Sequence, residues 1–161
     1  MRIAKKGGAA LLGGAAIVSG LAVLGVALAR EGEAVRAERG RLDGRWVATS
    51  VRSVAGELDG DGAARYGLEF AGGTIVARGL ADVPESRGTY QLAPAARPAR
   101  IDLKLESGLA LGNYALNGDE LVVCLNPLDL PERLGLPERG RPDRLEPDEY
   151  RLVYTFRRQP R

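Results

Sequence analysis

Glu57, Asp59 and Asp61, followed by Gly62, set carboxylates at alternate positions ahead of a glycine, which is how a calcium-binding loop opens. The match then fails. Such a loop begins with Asp and closes on a bidentate acid, but position 68 holds Leu68 and Glu69 stands one place late. A Gly- and Asp-rich turn between strands, holding no metal, accounts for the segment better. Asp102, Lys104 and Glu106 alternate with Ile101, Leu103 and Leu105, so the charged set is expected on a solvated strand face, in cross-strand ion pairs. A carboxylate-pair hydrolase needs one acid of raised pKa beside an ionised one, and the spacing converges no two acids. Cys124, between Val123 and Leu125, reads as a small buried hydrophobe near a strand end. The chain contains no His and one Cys, so it cannot by itself assemble a Ser-His-Asp or Cys-His set, a His-based zinc site or an internal disulfide. The expectation is a protein without catalytic residues, metal or cofactor.

The elements that would position these residues form an all-β domain. Beyond Leu42, short apolar runs are separated by Gly, Pro, Asn and Asp at the spacing of an antiparallel sheet. Eight strands are expected: Arg45 to Val54, Arg65 to Phe70, Thr74 to Gly79, Gly88 to Leu92, Arg100 to Glu106, Gly112 to Leu116, Glu120 to Leu125 and Arg151 to Arg158. Tyr66, Leu68 and Phe70 line one face, as do Ile101, Leu103 and Leu105, and Leu152, Tyr154 and Phe156. Ala71-Gly72-Gly73 and Asn117-Gly118-Asp119 supply tight hairpin turns, so the strands on either side of each are expected to pair antiparallel. A Pro-rich insertion over 126–149 carries Pro127, Pro131, Pro137, Pro142 and Pro147, which interrupt ladder pairing. It repeats Leu-Pro-Glu-Arg at Leu130 and Leu136. Its leucines, Leu128, Leu130, Leu134 and Leu136, suit either a lid packed on its own domain or a partner-binding flap.

Ahead of the barrel lie two further segments. Gly7 to Ala29 is a run of 23 residues without charge, preceded by Arg2, Lys5 and Lys6. At about 1.5 Å per residue that run is long enough for a hydrocarbon core of roughly 30 Å. Residues 1–29 therefore read as a signal anchor or, with Ala27-Leu28-Ala29 as cleavage site, a signal peptide. Either places the domain on the periplasmic or outer side, membrane-anchored or secreted. Residues 30–41 are charged and read as a solvated short helix or linker spacing the domain from the membrane. The net charge of +2 belongs to the leader: the other 132 residues hold 20 cations against 21 acids, interleaved, which argues against a nucleic-acid partner.

The order of certain residues carries a resemblance. Leu42-Asp43-Gly44-Arg45-Trp46 opens the β region, Pro98 and Ile101-Asp102-Leu103 follow, then Gly112-Asn113-Tyr114-Ala115-Leu116-Asn117-Gly118-Asp119-Glu120-Leu121 and Cys124, with Arg141-Pro142 and Arg157-Arg158 completing the set. This resembles the uncharacterised small domain expanded in planctomycete bacteria, which shares an L-x-G-x-W opening, a P-x-x-I-D-L strand, a G-x-Y-x-L-x-G-D-x-L-x-x-C hairpin and a later Arg-Pro. The likeness spans roughly Arg39 to Arg158. This chain departs from it in its expanded insertion and in Leu145, where members carry an aromatic residue.

The G-x-W opening is in turn similar to that of lipocalins, where the first-strand Trp seals the barrel floor under an Arg of the last strand. The resemblance implies a lipocalin-like eight-stranded antiparallel barrel over 42–158, with Trp46 under Arg157 or Arg158, a contact worth about 0.5 to 2 kcal/mol. Gly44, Asp102, Tyr114, Gly118, Asp119, Cys124, Arg141 and Pro142 would be structural. Two functions suit such a barrel: a binding or interaction module with a protein partner, or a carrier of a small apolar ligand lined by Tyr66, Phe70 and Tyr90. Replacing Trp46 with Ala is expected to cost about 3 kcal/mol or more through lost core volume. An unchanged denaturation midpoint would refute the assignment of Trp46 to the core.

Overall fold

The computed structural model describes residues 30–80, 83–126 and 140–160. The leader, and with it the signal or anchor expectation, lies outside the described residues, as do Leu128, Leu130, Leu134 and Leu136 of the insertion. No helix among the described residues is long and apolar enough to cross a membrane. The chain divides into the units Met1–Glu33 and Ala34–Arg161. In the first, residues 30–33 are helical. The second begins with helix α1 (34–42) and continues into strands.

The strands are β1 (Gly44–Ser53), β2 (Gly56–Asp59), β3 (Gly67–Ala71), β4 (Thr74–Arg78), β5 (Glu85–Ala93), β6 (Ala99–Leu105), β7 (Gly108–Asn117), β8 (Glu120–Leu125) and β9 (Leu152–Arg158), with a short helix α2 (Asp61–Ala64) after β2. From β3 to β9 each strand pairs antiparallel with the next, and β1 pairs with both β3 and β9. Eight strands therefore close on themselves. This is the antiparallel eight-stranded barrel that the alternation predicts. The β3–β4 connection is a two-residue turn with Ala71 opposite Thr74, and Gly72 and Gly73 sit at φ 57° and 100°, backbone that a side chain disfavours. Asn117 faces Glu120 across the second expected hairpin.

The structure corrects the sequence reading at the first strand. β1 is long enough to meet three neighbours: residues Gly44 to Val47 pair with β3, and Ser50 to Ser53 pair on the same side with β2, a strand not anticipated. The register against β9 shifts between Ala48 and Ser50, leaving Thr49 as the extra residue. A bulge bends a strand and raises its twist, which lets β1 leave β3 and continue as a hairpin with β2. Local alternation does not signal this bend.

Inside the barrel, Leu68 and Phe70, Ile101, Leu103 and Leu105, and Tyr154 and Phe156 join Trp46, Ile75, Tyr90, Tyr114, Leu121 and Val123 in one buried cluster. Tyr66 and Leu152 pack half-buried at its edge. The charged residues of β1, β3, β4 and β5 form a ladder on the outside: Glu69 lies 3.7 Å from Arg45 and 3.5 Å from Arg78, and Glu85 lies 3.2 Å from Arg78 and 3.0 Å from Arg87. One strand position has no space for any side chain. A Cβ on Gly88 would stand 1.9 Å from the Lys104 carbonyl oxygen, a backbone atom of the paired strand β6. Gly88→Ala is expected to destabilise the barrel by about 2 kcal/mol or more, read from the urea midpoint. Wild-type stability in that variant would show that β5 and β6 can part at this point without cost.

Candidate functional site

Strand directions sort the connections into two ends. One end holds the start of β1, the β3–β4 and β7–β8 turns and the end of β9; the other holds the β1–β2 hairpin, α2 and the β6–β7 turn. The first end is closed by α1. A helix leaves its last carbonyl oxygens without intrahelical donors, and here two strand side chains take them. Trp46 Nε1 donates to the Leu42 carbonyl at 2.8 Å. Arg158 donates through Nη1 to the Asp43 carbonyl at 2.7 Å and through Nη2 to the Arg41 carbonyl. Its Nε reaches Asp119 Oδ1 at 3.1 Å, and its guanidinium lies 4.3 Å from the Trp46 ring centroid. Gly44 makes room for it, since a Cβ there would stand 3.2 Å from Arg158 Nη1. Arg157, one residue earlier on β9, is exposed. Gly118 turns the hairpin at φ 61° that brings Asp119 to Arg158.

The short helix expected over 30–41 is helical and exposed along most of its length, with Val35, Glu38 and Arg39 half-buried. Glu38 is directed at the barrel end, where its Oε1 accepts from the Tyr114 hydroxyl at 3.1 Å and its Oε2 pairs with Arg41 at 2.7 Å. Arg39 lies 5.7 Å from the Tyr90 ring centroid. Burial, and then the Glu38 charge, hold the Tyr114 phenol well above its usual range; burial, and then Asp43, raise that of Tyr90. Tyr90 OH and Arg39 Nε, at this end, are buried with no hydrogen-bond partner among the described residues. Sequence reasoning missed Glu38 and Arg39 because a charged run with helical spacing looks the same whether solvated or docked.

The three candidate ligand-lining aromatics separate. Phe70 and Tyr90 meet edge to face with centroids 4.9 Å apart, whereas Tyr66 packs against Tyr154 at 5.5 Å. Phe70 and Tyr90 lie toward the α1 end of their strands; Tyr66 lies ahead of β3, toward the other. All three belong to or pack against the same buried cluster.

A second constellation sits outside the barrel. Arg141 donates to the Gly112 carbonyl at 2.6 Å and pairs with Asp102, so Asp102 finds its partner in the insertion and not on a neighbouring strand. Asn113 Nδ2 donates to the Pro142 carbonyl at 2.5 Å, and Asn126 Nδ2 to the Gly140 carbonyl at 2.6 Å. Asn113 is a further residue passed over, a polar side chain buried between Gly112 and Tyr114. Cys124 faces this side: it is buried but outside the barrel cluster, with Sγ 3.7 Å from the Glu146 carbonyl. Burial pushes its thiol up to about 11.

Glu57 lies on β2, where it accepts from the Ser50 hydroxyl at 2.6 Å, and Asp61 begins α2. Among the described residues, no group of three or more Cys, Asp and Glu side chains could hold a metal ion. No protein-family model, curated protein or solved structure matches the chain.

Cys124, Tyr114 and Tyr90 all favour their protonated forms in the fold, so their contribution is complete below their ordinary values and lost as pH rises through the folded ones. Stability is expected to fall as pH climbs from 9.0 toward about 11. Urea midpoints that stay level across that interval would show these groups to be solvated.

Proposed function

We propose that this chain is an exported, membrane-tethered β-barrel that works as a binding or interaction module through its surface, without a catalytic centre. The observation that carries this reading is the filled interior. Trp46, Phe70, Tyr90, Tyr114 and Phe156 are each at most 2% exposed and occupy the space that a carrier would leave for cargo. Eight-stranded barrels are narrow enough for side chains to fill them, and a filled barrel offers partners its loops and edges. The uncharged run Gly7 to Ala29 behind three cations supports export and tethering. Membership of the planctomycete domain family belongs to the same proposal and draws on the residue order from Leu42 to Arg158, while the stacked Trp46 and Arg158 are the contact that the lipocalin likeness implies.

A second reading, carriage of a small apolar ligand, draws on one observation. Tyr90 OH and Arg39 Nε, both buried and without partners among the described residues, could meet a polar group on a ligand seated beside Phe70. Native mass spectrometry on the full-length chain recovered from its own host separates the two. The interaction module predicts the mass of the bare protein. A reproducible small-molecule adduct would make the barrel a carrier and name its ligand class.

A further inference from the structure

A closed barrel has no free strand edges, and the β1–β2 hairpin is where this one acquires an edge. β2 pairs with β1 alone, and all four of its residues are exposed. Ser53 faces Gly56 across the turn at Val54 and Ala55, so in a two-residue hairpin that pair exchanges the backbone bonds. Alternate residues then turn outward. Glu57 and Asp59 direct their N–H and C=O groups away from β1, where no backbone strand among the described residues meets them. Unpaired groups of this kind template the addition of another strand.

The side chains on the edge say what that strand would be. Glu57 stands opposite the outward-facing Arg52, whereas Leu58 stands opposite the buried Val51 and so lies on the other face, 44% exposed. Val54, at the hairpin tip, is 66% exposed. Glu57 and Asp59 enter no ion pair among the described residues, and Asp61 follows after Gly60. An added strand would therefore meet acid, apolar, acid. A second copy of the chain fits poorly, because edge-to-edge pairing sets the same acids of two copies near each other.

We propose that the open edge of β2 docks an extended segment of a partner protein in which basic and apolar residues alternate. Backbone bonds to Glu57 and Asp59 would hold the segment, its basic side chains would face the two carboxylates, and an apolar one would cover Leu58. This rests on the interaction-module reading and names the partner class for it.

The test uses the isotope-labelled full-length chain in detergent micelles and the peptide acetyl-Lys-Val-Lys-Val-Lys-amide. The expected result is that the Glu57 and Asp59 amides shift and become protected from hydrogen exchange. N-methylating alternate peptide amides should then weaken binding about tenfold or more, as should the Glu57→Lys/Asp59→Lys variant. Equal binding of the N-methylated peptide would reduce the contact to charge attraction and overturn the proposal. So would absence of binding, or shifts confined to residues away from β2. Loss of edge binding by a barrel without an adduct overturns the edge assignment alone, while a retained small molecule overturns the interaction-module reading itself.

Discussion

The barrel depends on where the last carbonyl oxygens of α1 find donors. Helix ends strand these groups, and burying them without partners costs about 1 to 3 kcal/mol each. Trp46 takes that of Leu42, Arg158 takes that of Arg41 together with the Asp43 carbonyl just past the helix, and Arg158 simultaneously stacks on the indole and binds Asp119. One side chain from the last strand thereby joins the first strand, the β7–β8 turn and the helix. A cation at a helix C-terminus is also favoured by the backbone dipoles. Trp46 lies opposite Arg158 in the β1–β9 pairing, so the contact sits where the barrel closes.

The two ends contrast. At the α1 end, charge is drawn inward: Glu38 binds Tyr114, and Arg39 sits by Tyr90. The other end carries Val54, Leu58 and Leu109, the large apolar residues left exposed among those the structure describes. The outer face near β6, β7 and β8 is different again, because Arg141, Pro142 and Asn113 fasten the returning insertion over Cys124. Packing there is between sheet and loop. It lifts the thiol pKa chiefly by excluding water.

How much of this was legible in the residues depends on the range of the interaction. Tyr66, Leu68 and Phe70, or Ile101, Leu103 and Leu105, share a face because strand geometry alternates, and that requires no knowledge of neighbours. Gly72-Gly73 and Asn117-Gly118-Asp119 declare their turns because few residues tolerate such backbone. β2 was missed for the opposite reason. Gly56–Asp59 is four residues long and fully exposed, too short for its alternation to stand out, and it pairs where β1 bulges at Thr49 and offers it an edge.

The eight barrel strands with their alternating faces, the antiparallel class and the exclusion of histidine chemistry follow from local geometry and composition. The closed fold was needed to show that Arg158 rather than Arg157 lies on Trp46, that Asp102 pairs with Arg141 from the insertion, that Glu38 meets Tyr114 at the barrel end, and that Tyr66 packs on Tyr154 while Phe70 meets Tyr90. Each of those contacts joins residues whose meeting depends on barrel closure, strand register or the return path of a loop. Those are properties of the closed chain, and no window of neighbouring residues contains them.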